Sequence, residues 1–175
     1  MSFLKKFWKN KEGVSAVETA ILFPLLITLL TAVYDLGQGV VISQKVNTAA
    51  QVMGDLLTRY ETVDEALITD IINAGELSLD PYPTAELAYD IASVQFDEDD
   101  DPVVLWRRSF GMLEEQAPIN ATIGLGTEGQ GVIVVSVTYD YVPFFNNFII
   151  DEFSMYERAF LRGRKSITVP CTDCS

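Results

Sequence analysis

The most apolar part of the chain is a run of 21 residues near its beginning, from Val14 to Tyr34. Glu18 is the only charged residue in this run, and four serines and threonines are its other polar residues. A helix rises about 1.5 Å per residue, so the run is about as long as the hydrocarbon core of a bilayer is thick. The pattern predicts a transmembrane helix over residues 14–34.

Apolar residues continue beyond this run at steps of three, four or six positions, as they do on one face of a helix. They are Leu36, Val40, Val46, Ala50, Met53 and Leu57. The stripe predicts that the same helix continues to about Thr58. It packs either on the chain's own globular part or on a partner helix, and the pattern leaves both possibilities open.

A second helix is predicted by a capping box, in which Thr62 caps the helix and Glu65 bonds back three residues later. Apolar residues then repeat at helical spacing, and Gly75 follows them as a stop signal. They are Val63, Leu67, Ile68, Ile71 and Ile72. The prediction is an amphipathic helix over residues 63–74.

The remainder of the chain has the composition of β-strands. The four candidate strands are residues 87–96, 102–110, 131–141 and 154–169. Residues 131–141 alternate clearly between a mainly apolar and a mainly polar face, whereas residues 118–131 are glycine-rich and predict a loop. The short connections predict an antiparallel meander packed on the long helix. The expected fold class is therefore α+β, with one long N-terminal helix on a small antiparallel sheet.

Composition narrows the possible functions. The chain has no histidine, which excludes histidine-based catalytic triads and histidine-ligated metals. Its formal net charge is −13, so it has no broad basic face for nucleic acid. The sequence shows no nucleophile elbow, phosphate-binding glycine loop or paired acidic motif. We therefore expect no enzyme, no cofactor and no metal. The acidic run 97–101 has carboxylates that could bind Ca²⁺, but it lacks the pattern of an EF-hand loop, so a solvated hairpin tip is the favoured interpretation.

The flanks of the apolar run indicate its orientation. Four lysines precede it, at positions 5, 6, 9 and 11, and Asp35 follows it. The positive-inside rule then places the N-terminus in the cytoplasm and the rest of the chain outside. A cleaved secretory signal peptide is the alternative, but its apolar region is shorter and ends at a small-x-small site that this run lacks.

Gly13 ends the basic leader, and Glu18 lies five residues later inside the apolar run. A charged carboxylate there costs about 3 kcal/mol on insertion scales unless it finds a partner. If a peptidase cuts after Gly13, Val14 gains an α-amine that is largely protonated near neutral pH, one helical turn from Glu18. Glu18 either pairs with such an amine, on its own or a neighbouring chain, or simply reaches the membrane interface.

This pattern resembles type IV prepilins and pseudopilins, and most closely the TadE/TadF-like minor pseudopilins of the tight-adherence (Flp) pilus system. The resemblance covers roughly residues 5–60. It is carried by Gly13-Val14-Ser15-Ala16-Val17-Glu18-Thr19-Ala20, Phe23-Pro24 and Tyr34-Asp35-Leu36-Gly37, and more weakly by residues 137–143. Thr19, in place of the tyrosine of the short major pilins, and the length of the chain indicate that this is not the shaft subunit.

The resemblance implies four segments. They are a basic leader at residues 1–13 that a prepilin peptidase removes between Gly13 and Val14, a transmembrane helix at 14–34, its periplasmic continuation at 35–60, and a periplasmic α+β domain at 61–175. Glu18 and Pro24 would serve recognition and assembly. Pro24 removes a backbone hydrogen bond and is expected to kink or soften the helix.

The implied location is the inner membrane, with possible incorporation into a pilus. The implied partners are the prepilin peptidase, other pilin and pseudopilin subunits, the inner-membrane assembly platform and the lipid bilayer. The implied function is a part in the assembly or initiation of the pilus. The alternative is an unprocessed single-pass membrane protein with a periplasmic binding domain.

Cys171 and Cys174 form a C-x-x-C pair close to the end of the sequence. A zinc site would need two further ligands, and the chain has no other cysteine and no histidine. An oxidising periplasm favours a disulfide. We expect a structural disulfide, either within the chain or with another subunit.

Overall fold

The structure, a computed structural model, describes residues 12–145 and 151–174, so most of the basic leader lies outside the described residues. Helix α1 spans Glu12–Leu57, a length of 46 residues, and continues through Pro24. The prediction of one long N-terminal helix is confirmed. Two shorter helices follow, α2 at Glu65–Leu77 and α3 at Gln116–Asn120.

Four strands form one antiparallel sheet, β1 at Leu87–Phe96, β2 at Pro102–Phe110, β3 at Gly131–Tyr141 and β4 at Phe153–Leu161. This confirms the α+β fold class. The strand order is β2-β1-β3-β4, so the predicted meander is wrong: β3 returns to pair with β1 and not with β2. The two most buried strands, β1 and β3, thereby lie at the centre, while the edge strands β2 and β4 are less buried.

Each face of the sheet has its own hydrophobic core. The larger core lies between the sheet, α1 and α2. Its fully buried residues include Val46, Ala49, Ala50, Met53 and Leu57 of α1, with Ile91, Val135 and Val137 of the sheet. The smaller core lies on the opposite face under α3, and consists of Ala92, Val94, Phe96, Ile119, Val132 and Val134. Alternate side chains of β3 therefore face α1 on one side of the sheet and the second core on the other.

The start of α2 differs from the prediction. Its N-cap is Asp64, whose Oδ1 accepts a hydrogen bond from the Leu67 backbone N–H at 2.7 Å. The predicted cap at Thr62 is wrong because the next residue, Val63, is held extended in a bridge with Cys171. The N–H of Val63 donates to the Pro170 carbonyl at 3.0 Å, which keeps Val63 out of the helix.

The predicted stop at Gly75 is also wrong, because α2 continues to Leu77. A Cβ placed on Gly75 would overlap the side chain of Met53 on α1. Glycine is therefore required for the close approach of the two helices and does not end the second one. Met53 is fully buried, so its side chain has little room to move aside.

Two predicted segments near the C-terminus also have different bounds. The predicted strand 154–169 is too long, because β4 ends at Leu161 and the chain then turns back over the sheet. The Val169 carbonyl there accepts hydrogen bonds from Trp106 Nε1 at 2.7 Å and Ser93 Oγ at 2.8 Å. The predicted loop 118–131 begins inside helix α3.

Substitution Gly75→Val should destabilise the fold by about 1–3 kcal/mol, because the added side chain has to displace Met53 from a filled core. The matched control is Gly37→Val on α1, where a Cβ meets no atom within 4 Å. The control should change stability by about 0.5 kcal/mol or less. Unfolding of the detergent-solubilised full chain carrying Trp8→Phe, followed by the fluorescence of Trp106, measures both. Equal stability of the two variants would show that the α1–α2 contact is not tight.

Candidate functional site

Among the described residues, one helix is long and apolar enough to cross a membrane, and it is α1 over Gly13–Leu57. Its apolar N-terminal part is not covered by the rest of the chain. The exposed side chains are those of Val14, Val17, Ile21, Leu22, Phe23, Leu25, Leu26, Ile27, Leu29, Leu30 and Val33. So large an apolar surface requires non-aqueous surroundings or a partner.

The predicted processing residues lie at the beginning of α1. Gly13 and Val14 are in its first turn, and Glu18 follows one turn later. All three are exposed, and none of the ion pairs formed within the described residues involves Glu18. The helix thus holds Val14 and Glu18 four residues apart on one face, as pairing with a newly formed amine would require. Cleavage after Gly13 stays a prediction.

Pro24 lies inside the exposed part of α1. It has no N–H to donate to the Ala20 carbonyl. One turn later, Thr28 Oγ1 donates a hydrogen bond to the Pro24 carbonyl at 2.8 Å. Thr19 Oγ1 donates in the same way to the Ser15 carbonyl at 2.9 Å. The threonine hydroxyls are therefore satisfied within the helix, which suits an apolar environment. A role of Pro24 in assembly stays a prediction.

Asp35 marks the point at which α1 enters the folded body, and only 1% of it is exposed. Its Oδ1 accepts a hydrogen bond from the Phe144 backbone N–H at 3.2 Å, and its Oδ2 accepts one from the Phe145 N–H at 3.3 Å. A buried carboxylate is tolerated when such donors replace its water. Asp35 thereby fixes the segment that follows β3 against α1.

The same segment is held to α1 by a second hydrogen bond. The hydroxyl of Tyr141, at the end of β3, donates to the Asp35 backbone carbonyl at 3.0 Å. Burial, together with the nearby Asp35 carboxylate, raises the pKa of Tyr141. The hydroxyl therefore keeps its proton, and its donor role, throughout the physiological pH range.

Three aromatic rings surround this junction, and we call Tyr34, Phe144 and Phe145 the exit cluster. The Tyr34 ring lies edge-to-face with Phe144 at 6.3 Å and with Phe145 at 6.5 Å between centroids. The two phenylalanine rings are 5.0 Å apart, also edge-to-face. Such geometry is favourable for aromatic pairs. The cluster therefore covers the junction with rings, one of which, Phe144, is 78% exposed.

Two segments that carry the family resemblance meet at this place. Tyr34–Gly37 on α1 and the end of residues 137–143 on β3 are joined through Asp35 and Tyr141. Sequence reasoning identified Asp35 as the charge that ends the apolar run and as part of the Tyr34–Gly37 motif, but missed its partners. An acidic residue directly after such a run is the signal that was present. Nothing in the local sequence identifies Phe144 and Phe145 as its donors.

Further contacts hold α1 to the connection between α2 and β1. The Tyr82 hydroxyl donates to Gln38 Oε1 at 2.8 Å. Lys45 Nζ donates to the carbonyl of Asp80 at 2.7 Å and to that of Ser78 at 3.3 Å, directly after α2. A lysine there also interacts favourably with the end of the helix. The direction of α1 relative to the body is thus fixed on two sides.

The charged groups elsewhere on the body form pairs of their own. On the sheet face away from α1, Arg107 donates to the nearly buried Asp90 at 2.6 Å and 2.8 Å, and this hydrogen bond raises the pKa of Arg107. Near the end of α1, Arg59 donates to Asp55 and lowers the pKa of that carboxyl. The Asp55 contribution to stability is therefore present above the ordinary Asp pKa and is lost as pH falls through the lowered value.

The cysteine pair lies beside the beginning of α2. Cys171 and Cys174 are joined as a disulfide with Cα atoms 5.6 Å apart. Asp173 completes the one group within the described residues that has metal-ligand spacing, but bonded sulfurs are not thiolate ligands. Instead, Asp173 Oδ1 accepts a hydrogen bond from the Glu65 N–H at 2.9 Å. The end of the chain thus packs on the start of α2.

The acidic run is the turn between β1 and β2, as predicted. Oδ1 of Asp97 accepts hydrogen bonds from the N–H groups of Asp99 and Asp101, both at 3.0 Å. Asp100 has a left-handed backbone conformation, and its Oδ1 accepts from the Glu128 N–H at 2.7 Å. Carboxylates of the run thus stabilise their own loop.

Substitution Asp35→Ala should release the segment after β3, because two partly buried backbone N–H groups then lose their acceptor, at a cost of about 1 kcal/mol each. We expect faster hydrogen exchange at the amides of Phe144 and Phe145 in the detergent-solubilised chain. Asp140→Ala is the control, since that carboxylate is exposed and accepts a hydrogen bond from Ser154 Oγ. Unchanged protection in Asp35→Ala would contradict the assigned role.

Comparison with known protein families finds a match near the beginning of the chain. The family model described as TadE-like protein matches residues 13–52, which contain the glycine, the glutamate, the proline and the junction at Asp35. The searches of curated proteins and of solved structures found no significant match. The family match and the apolar helix are consistent with a membrane protein associated with the Tad pilus and its components. The predicted resemblance is thus confirmed, and the N-terminal part of this chain is TadE-like.

Proposed function

We propose that this protein is a minor pseudopilin that a prepilin peptidase processes after Gly13 and that takes part in the assembly or initiation of a tight-adherence (Flp-type) pilus. The observation that carries the proposal is the division of α1. Its TadE-like N-terminal part is apolar and exposed, and its C-terminal part forms the core of a folded body. A subunit that moves from a bilayer into a filament needs such a helix.

In this proposal, α1 spans the inner membrane before assembly, with its N-terminus in the cytoplasm and the body in the periplasm. Removal of residues 1–13 takes away four lysines and one glutamate, so the side-chain balance becomes 8 − 24 = −16. The exported body then carries the acidic charge, and the membrane segment keeps Glu18 as its only charged side chain. The proposed role is structural and involves no catalysis.

Assembly would replace lipid around the exposed half of α1 by the helices of other pilin and pseudopilin subunits, delivered by the inner-membrane assembly platform. Apolar packing does not by itself specify how far one helix slides along another. An unpaired Glu18 is costly in apolar surroundings, and pairing with the amine of Val14 on a neighbouring subunit removes that cost. Glu18 would therefore set the axial register.

The processing step predicts a mature chain that begins at Val14. We expect intact-mass and N-terminal analysis of protein recovered from membranes to show this start only when the host's prepilin peptidase is present. A chain that retains its leader in both strains would contradict the proposal. It would favour the alternative, an unprocessed single-pass membrane protein whose periplasmic domain binds a ligand.

The register role predicts that Glu18→Ala still inserts into the membrane but no longer supports normal piliation. Thr19→Ala is the matched control, because it changes the adjacent exposed position without altering the charge. Membrane fractionation and counts of pili per cell by electron microscopy measure the two effects. Normal piliation with Glu18→Ala would show that the carboxylate has no part in assembly.

A further inference from the structure

We infer that the exit cluster sits in the interfacial layer of the bilayer, so that the folded body rests on the outer surface of the membrane it is anchored in. The occupant of this surface is a lipid headgroup and acyl-chain boundary. The inference rests on one part of the proposed function, namely that α1 spans a bilayer. It adds a second membrane contact, made by Phe144 and Phe145, which follow β3.

The depth of the cluster follows from the length of the apolar run. Residues 14–34 span about 30 Å as a helix, which matches the hydrocarbon core, so Tyr34 lies at its outer boundary. The rings of Phe144 and Phe145 contact Tyr34, with centroids 6.3 Å and 6.5 Å away. Side chains that touch the last residue of the span share its depth to within one ring diameter. The segment after β3 therefore lies at the membrane interface as well.

The chemistry of the exposed surface suits that layer. Besides Phe144, the apolar side chains exposed next to the junction are those of Leu36, Val40, Val142 and Phe153. Aromatic rings are enriched at membrane interfaces, and apolar patches that stay exposed mark an interaction surface. This patch is continuous with the bare surface of α1, so one lipid phase can cover both.

Two backbone donors within the patch have acceptors inside the protein, as a layer with little water requires. The N–H groups of Phe144 and Phe145 donate to the buried Asp35 carboxylate. In a layer with little water, unsatisfied donors would oppose insertion. The same two hydrogen bonds hold the rings beside α1, so the segment cannot swing away from the membrane without breaking them.

The charges around the patch show whether electrostatic attraction or apolar insertion would hold the body at the membrane. Glu86 and Asp140 lie near the junction, on the wall of a groove of about 300 Å³ that also includes Tyr34 and Phe144. Carboxylates repel anionic headgroups, so electrostatic attraction cannot hold the folded body at the membrane surface. The contact must come from insertion of apolar rings, and we expect it to be insensitive to added salt.

Tryptophan fluorescence in vesicles tests this inference with the full-length chain. The parent carries Trp8→Phe and keeps the buried Trp106 as a constant background. Phe144→Trp reports on the exit cluster, Leu26→Trp on the middle of the apolar run, and Val103→Trp on an exposed site at the far end of the sheet. Strands of this length place that last site about 30 Å away. Each protein is reconstituted in lipids brominated either near the carbonyl end or near the methyl end of the acyl chains.

We expect shallow bromines to quench the Phe144→Trp protein and deep bromines to quench the Leu26→Trp protein, while the Val103→Trp protein stays at the parent's level. Added salt should leave the first result unchanged. Quenching in Leu26→Trp without quenching in Phe144→Trp would overturn the inference and leave α1 as a span. A blue-shifted but unquenched Phe144→Trp emission would also overturn it, in favour of a protein partner. Absence of quenching in both would overturn the span as well.

Discussion

A single helix in this protein has to satisfy two different surroundings, and the change between them falls at Tyr34 and Asp35. Before that point, the apolar side chains of α1 are exposed on every side of the helix. Beyond it, one face of α1 is fully buried, from Val46 to Leu57, against the sheet and α2. Without this half of the helix, the sheet residues of the larger core would be exposed to solvent. The body is therefore not an independent module attached to an anchor.

Hydrogen bonds at the junction join the body to α1. The Asp35 carboxylate binds the N–H groups of Phe144 and Phe145, and Tyr141 donates to its backbone carbonyl. Because Tyr141 ends β3, a central strand, a displacement of α1 along its axis has to move the sheet with it. In the proposed function, extraction of the helix from the bilayer would therefore carry the body with it as one unit. The exit cluster would leave the membrane interface in the same step.

Local patterns in the sequence specify the elements well where each depends on its own neighbours. The length of the apolar run and its helical continuation predict α1, and the bounds of β1 and β2 agree with the predicted 87–96 and 102–110. The prediction fails where a distant segment competes for a local position. Val63 would fit a helix start, but its bridge to Cys171 keeps it extended and moves the cap to Asp64.

The sequence by itself therefore determined that the chain has a long apolar helix, four lysines before it, a glycine and glutamate at family spacing, and an acidic α+β body. Only the tertiary structure decided the strand order, the place of Gly75 inside α2, and the burial of Asp35. The reason is the same in each case. Hydrophobic periodicity is a property of residues close together in the chain, whereas these features depend on contacts such as Asp35 with Phe144, which are 109 residues apart.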